Sequence, residues 1–314
     1  ISAYPVEDAC WEKARKLDIG IDLNLFNSLS ISADYFHDRR EKILMQRGSW
    51  PSMLGYDTAT PWGNVGKADN RGFDASLNWT KQLTDDFSMS VRGTFTYIKN
   101  KLVYVDEPDY TYTWQTTAGW PLVSYRWVGY VADGLFKDQE DIDNSPEQNL
   151  GSQVMPGDIK YRDLNGDGKI TKEDRTLISD CGTAPKVQYG LGVYLKWKGF
   201  DLGMFFNGSA KRTILQSPMN PFGADTGSEW GAGERQLAKY IDQQRWTEAN
   251  PDPNAKYPRL GTLYTDVRNN LETSTYWLRD GSFIRFKTLE FGYTFPFCRL
   301  YFSADNLAVW SPFK

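Results

Sequence analysis

The sequence predicts an all-β chain: an antiparallel transmembrane β-barrel pattern of about eight strands with long extracellular loops. Three observations predict this. Apolar and polar residues alternate with period two along eight runs, as strands with one apolar and one polar face require. The runs pair into four hairpins with turns of a few residues, while the connections between hairpins are long, at 41–69, 101–185 and 213–282. Mean hydropathy is −0.57, and no run reaches the roughly 18 apolar residues of a membrane-spanning helix. Barrel strands need only about 9–11 residues to cross a bilayer, and only half of those face lipid.

In the first hairpin Leu17, Ile19, Ile21, Leu23 and Leu25 alternate with Asp18, Gly20, Asp22 and Asn24. After a turn at Asn27-Ser28 the pattern resumes through Leu29, Ile31, Ala33 and Tyr35. The second hairpin places Phe73, Ala75, Leu77 and Trp79 on one face, then Phe87 through Tyr97 after a polar link at 81–86. The third runs from Val187 to Trp197, turns at Lys198-Gly199 and returns from Phe200 to about Thr213. The fourth spans Phe283 to Phe295, turns near Pro296-Phe297 and returns from Arg299 to Asn306. Trp79, Tyr97, Trp197 and Phe295 fall at strand ends, where membrane-interface aromatics belong. A soluble β-sandwich with one solvated face would show the same alternation. It does not account for short turns at one end and long loops at the other.

Loops this long are rarely unstructured in a compact domain. They hold Trp50, Trp62, Trp114, Trp120, Trp127, Trp230 and Trp246, our candidates for substrate or partner contact. Packing the loops together is the competing role for each ring. The second loop adds a strand-like run at 123–131 and an acidic stretch at 137–146; the third reads as a helix from Gly233 to Trp246.

Residues 163–174, DLNGDGKITKED, match an EF-hand-type calcium loop. Asp163, Asn165 and Asp167 supply positions 1, 3 and 5; Lys169 offers its carbonyl at 7; Thr171 and Asp174 occupy 9 and 12. Gly168 permits the turn and Ile170 pins it. Position 12 is Asp where Glu is usual, a shorter arm. A polar turn capped by Thr171 ahead of a helical segment, with Asp174 three residues on, is compatible with both roles. The expected cofactor is a structural Ca²⁺.

Other chemistry is poorly supplied. The net charge of −4 offers no basic surplus for nucleic acid. Cys10, Cys181 and Cys298 lie far apart with no C-x-x-C pair, although one bridge remains open. The single histidine, His37, sits in a strand; there is no P-loop, no G-x-S-x-G and no H-E-x-x-H, so no enzyme is expected.

Several collinear segments resemble the SusC/RagA-like, TonB-dependent outer-membrane transporters of the Bacteroidetes. They are WEKARKLDIGIDLNLF (11–26), SADYFHDRREKIL (32–44), NRGFDASLNW (70–79), GDIKYRDLNGDGKIT (157–171), APKVQYGLGVYLKWKGFDLGMFF (184–206), SFIRFKTLEFGYTFP (282–296) and LYFSADNL (300–307). The resemblance implies a bacterial outer-membrane location and a 22-stranded barrel. This chain would be its C-terminal portion (1–314), with the plug domain upstream and a closing strand after Lys314. Loop 101–185 would be extracellular. It also implies outer-membrane lipid around the barrel, a SusD-like lipoprotein lid, and the TonB–ExbB–ExbD complex acting through the plug. Cargo would be an oligosaccharide or, as in the RagA branch, an oligopeptide. A non-transporting barrel scaffold in a larger outer-membrane assembly is the remaining alternative.

Overall fold

The computed structural model describes residues 6, 8–49, 61–122, 125–216, 239–261 and 264–313. Period-two alternation becomes one antiparallel sheet. Its strands are β1 (Lys13–Leu25), β2 (Leu29–Gln46), β3 (Trp62–Thr84) and β4 (Phe87–Tyr104), and then, after a long loop, four more. Within that loop lie the short β5 (Trp127–Gly129), β6 (Ala132–Leu135), β7 (Glu147–Gln148), β8 (Ile159–Tyr161), β9 (Lys169–Ile170) and β10 (Thr176–Ser179). The sheet resumes with β11 (Val187–Trp197) and β12 (Phe200–Ala210). The short pair β13 (Thr213–Leu215) and β14 (Leu278–Asp280) follows, and then β15 (Phe283–Thr294) and β16 (Arg299–Trp310). The spatial order of the large sheet is β1-β2-β3-β4-β11-β12-β15-β16, so each strand pairs with its neighbours in sequence and β1 and β16 are open edges.

Register makes the apolar face continuous. Residues opposite one another in antiparallel strands share a face. One row runs Leu25–Leu29–Trp79–Val91–Val193–Met204–Leu289–Ala304 across all eight strands. One residue along, the opposite face reads Asn24–Ser30–Asn78–Arg92–Gly192–Phe205–Thr288–Asp305. The apolar face lies open. Ile19 is 61% exposed, Phe291 48% and Trp197 53%, far more apolar surface than a water-soluble sheet leaves uncovered. Phe200 stacks between Trp197 and Phe291 at the short-turn end, with ring centroids 6.3 and 5.9 Å away. Tyr35, Phe73 and Tyr97 form a row at the long-loop end.

The strand centres fall where the alternation placed them; several boundaries and one helix do not, β1 starting at Lys13 and β16 running on to Trp310. β2 runs on to Gln46, β3 begins at Trp62 and β4 reaches Tyr104, so the connection read as 41–69 is only 47–61 and the second loop starts at 105. These extensions carry charged residues on both faces (Arg39, Arg40, Lys67, Asp69) because they stand beyond the apolar belt. Alternation of hydrophobicity vanishes there while backbone pairing continues. Trp62 is therefore a strand residue and not a loop residue. The helix expected from Gly233 to Trp246 is present in the described part only as Lys239–Asp242; residues 233–238 lie outside the described residues. Trp246 instead follows a turn and takes Tyr257 carbonyl as acceptor, 2.9 Å away.

Candidate functional site

The two long loops after β4 and β12 fold together into one module. Its core is Tyr130, Leu135, Ile159, Tyr161, Ile170, Ile241, Trp246, Tyr257 and Trp277, drawn entirely from those loops and none from the large sheet. Aromatics in the loops are thus packing material first. β5 pairs with β10, β6 with β8, β7 with β9, and β13 with β14 carries the hairpin of β12 and β15 upward.

A buried polar network joins the two loops. Asn269 and Asn270 are both 0% exposed, so each amide must find protein partners. Asn270 accepts from the Ile159 N–H at 2.8 Å and donates to Asp158 Oδ1 at 2.8 Å, while its carbonyl accepts from Trp277 Nε1. Asn269 donates to the Ile159 carbonyl and accepts from Gln148 Nε2; the Tyr161 hydroxyl donates to its carbonyl. Asp158, also fully buried, pairs with Arg259, whose Nε lies 2.6 Å from its Oδ1. Burial pushes the Asp158 carboxyl above the usual carboxylate range; Arg259 and the bonds from Met155 and Asn270 pull against that rise. Burial likewise pushes the Tyr130 hydroxyl up to about 12. Sequence reasoning missed Gln148, Asp158, Arg259, Asn269 and Asn270. Polar residues in a loop carry no periodic signal, and nothing in one sequence separates a buried amide from a solvated one.

The candidate tryptophans are placed as follows. Trp50 and Trp230 lie outside the described residues. Trp114 donates to the Lys172 carbonyl at 2.6 Å, stacks on Tyr112 and lies 4.4 Å beneath the Arg175 guanidinium. Arg175 also faces Tyr130, which contacts Tyr161 at 5.1 Å, so Trp114 caps a column running into the module core. Trp120 lies under Arg126, and half-buried Trp127 sits in β5. Trp246 is 7% exposed. It borders a cavity of about 580 Å³ with Lys137, Met155, Arg245, Glu248 and Arg259. A second concavity of about 380 Å³ lies on the polar face of the sheet, over Gly192 and Gly203, among Arg92, Tyr194, Phe205 and Glu290.

The 163–174 loop closes on itself. Asp163 accepts from the N–H groups of Gly166 and Gly168 at 2.6 and 2.8 Å, Asn165 from Asp167 N–H, and Asp167 from Lys169 N–H. The N–H groups around it, Gly168 first and then Gly166, hold the Asp163 carboxyl below its usual range. Gly166 and Gly168 have φ of 77° and 80°, the left-handed conformation that a side chain would strain. Thr171 caps a short 3₁₀ turn, Lys172–Asp174, as the capping pattern predicted. Asp174 is fully buried and spends its two oxygens on the Leu164 and Thr171 N–H groups. Among the described residues no three His, Cys, Asp or Glu side chains converge as a metal cluster. A cation here would rely on the Asn165 amide and the Lys169 carbonyl beside Asp163 and Asp167.

An open antiparallel meander with an apolar outer belt, short turns at one end and a folded module at the other is one wall of a large membrane barrel. The family model for the TonB dependent receptor-like β-barrel matches residues 9–307. The chain belongs to that family. TonB-dependent receptor P3 of Formosa agariphila is 28% identical over 96% of this chain and 30% of its own length. TonB-dependent receptor SusC of Bacteroides thetaiotaomicron is 24% identical over 66% of this chain and 20% of its own. The chain thus spans less than a third of the relatives it matches. Among solved structures, the RagAB peptide importer in its open-open state superposes with a TM-score of 0.70 at 21% identity, covering 97% of this chain and 32% of that one, a likeness of fold. This TonB-dependent receptor barrel is therefore an outer-membrane protein of a transporter family, not of an enzyme family. Its apolar face is lipid-facing, its polar face lines the lumen, and the module stands on the extracellular side.

Proposed function

We propose that this chain forms part of the wall and the extracellular module of an active importer of oligosaccharides, which works with a SusD-like lipoprotein and is energised by TonB. The observation that carries it is the pairing of a lipid-belted barrel wall with a folded, aromatic-rich module at the long-loop end. The likeness to SusC supports the lipoprotein partner and the TonB coupling. Cells lacking the protein should lose uptake of a labelled oligosaccharide. Uptake in wild-type cells should stop when a protonophore collapses the proton-motive force, and the lipoprotein should copurify. Uptake that survives the protonophore rules out energised import. Glycan binding unchanged after replacement of every loop tryptophan removes the aromatic contacts.

Oligopeptide cargo is the second possibility. The cavity beside Trp246 favours it, because Lys137, Arg245 and Glu248 place both charge signs beside one indole, as a peptide with charged ends would need. Competition between a glycan and a peptide library for the purified protein separates the two.

We also propose a structural Ca²⁺ in the 163–174 loop, held by Asp163, Asn165, Asp167 and the Lys169 carbonyl, with Thr171 and Asp174 closing the loop from within. The oxygen-rich donor set and the two left-handed glycines support it. Chelation should lower the melting temperature of the module. Asp163→Ala should abolish that sensitivity; a variant that melts and responds to chelator as the parent does eliminates the site.

A further inference from the structure

Above the aromatic row Tyr35–Phe73–Tyr97, the lipid-facing side of β1 to β4 turns basic. The next row in register is Leu17–His37–Arg71–Lys99, and the one beyond it is Arg15–Arg39–Asp69–Lys101. Lys13, Glu41 and Lys67 continue it. Lys211 joins from the side, its ammonium 5.4 Å over the Tyr97 ring. Asp69 is already engaged, 2.6 Å from His37 and 3.9 Å from Arg39. Among the described residues, no carboxylate lies within ion-pair distance of Arg15, Arg71, Lys99 or Lys101.

Two features make this more than a solvated charge run. Arg15 stands directly opposite Arg39, and Arg71 directly opposite Lys99. Like charges in direct cross-strand register repel and destabilise a sheet unless an anion sits between them. The band also has a fixed depth. Strand rise puts these rows about 7 and 14 Å along the strand beyond the aromatics that mark the edge of the hydrocarbon, which at the roughly 40° tilt of barrel strands is about 5 and 10 Å of depth. The band occurs at one end only. At the short-turn end the same face carries Lys81 and Lys198, and Lys198 has Asp86 3.9 Å away.

We propose that this surface binds the phosphate groups of an outer-leaflet glycolipid, which bridge the opposed cations of β1 to β4 while the acyl chains lie along the apolar belt below. Phosphates at the hydrocarbon edge match the band in depth and in sign, and clustered Lys and Arg at a membrane surface recruit anionic headgroups. The occupant would add to the barrel's fixed position in the membrane and is separate from the transport path on the other face of the sheet.

The test uses the full-length protein purified from outer membranes in neutral detergent. Three probes are compared by native mass spectrometry and thermal melting: bisphosphorylated lipid A, the same lipid with its phosphates removed, and inorganic phosphate. The phosphorylated lipid should bind about tenfold more tightly than the dephosphorylated one, and inorganic phosphate should not displace it. The variant Arg39→Gln/Arg71→Gln/Lys99→Gln/Lys101→Gln should lose the preference, while Arg39→Lys/Arg71→Lys keeps it. Equal binding of the two lipids overturns the proposal, as does a neutralised variant that keeps the preference. Displacement by inorganic phosphate would show a free-anion site instead. If the fourfold variant fails to fold, salt decides with the parent alone. An ionic headgroup site loses its preference as salt rises, and a preference that persists in high salt overturns the proposal.

Discussion

Replacing Arg259 with Met should cost the extracellular module about 3–5 kcal/mol, because it strands the fully buried Asp158 carboxylate. The parent holds that charge with the Arg259 guanidinium, whose Nη2 also donates to Asp158 Oδ2 at 3.1 Å and to the Asp266 carbonyl at 2.8 Å. Without it, burial dominates and raises the carboxyl further. A folded-state pKa above the unfolded one gives stability that is present in full below the unfolded value and lost as pH rises through the folded value. The defect should therefore be mild near pH 4 and severe near pH 8, the same sense as for a lost surface pair but several times larger. Hydrogen exchange at the two pH values reads the effect. Amides of Ile159 and Tyr161 should lose protection in the variant while those of β2 and β3 keep theirs, since the module core shares no residue with the sheet. Adding Asp158→Asn should restore part of the loss: its amide oxygen still accepts from Met155 N–H and no charge is stranded, although its NH2 cannot accept from Asn270 Nδ2 as the carboxylate does. A variant as stable as the parent at high pH would mean that the ion pair is dispensable.

Much of the sheet was legible because a barrel wall imposes one simple demand, alternate side chains to lipid and to water. Leu17 through Leu25 and Val187 through Trp197 meet it, and both are strands in register. Legibility ended where the demand ended. Above the belt both faces of a strand meet polar surroundings, so Arg39 to Gln46 and Trp62 to Asp69 gave no alternation although backbone pairing continues through them. The Lys198 turn and the Thr171 cap were readable because each is set by local chemistry. The module was not. Its Asn269-Asn270 pair is joined to Gln148 and Asp158 across more than a hundred residues of chain, and no spacing rule reaches that far. Seven tryptophans suggested a binding surface. In the structure Trp114 caps an aromatic column and Trp246 fills a core, so packing occupies at least these two rings.

Gly157→Ala should be nearly as damaging as the loss of Arg259, by a different route. Gly157 has φ of 85°, and a Cβ there would run into the six-membered part of the Trp246 indole. The left-handed backbone costs a non-glycine residue about 1–2 kcal/mol, and overpacking a fixed core adds about 1–3 kcal/mol. Neither can relax easily. Gly157 N–H donates to the Phe136 carbonyl at 2.8 Å, and its own carbonyl accepts from Arg259 N–H at 2.9 Å. Trp246 is pinned in turn by its backbone bond to Tyr257. The two sites should therefore couple. Trp246→Ala alone leaves a cavity worth about 3–5 kcal/mol, yet the methyl of Gly157→Ala would occupy part of it. The double variant should then be less destabilised than the two single losses summed, with a coupling of about 1–2 kcal/mol in a double-mutant cycle. Strict additivity would mean that the indole and the glycine do not meet. The same cycle run on cargo uptake separates packing from contact. If Trp246 acts only by packing, Trp246→Phe should keep most of the uptake; if the ring touches cargo, uptake falls while the module stays folded.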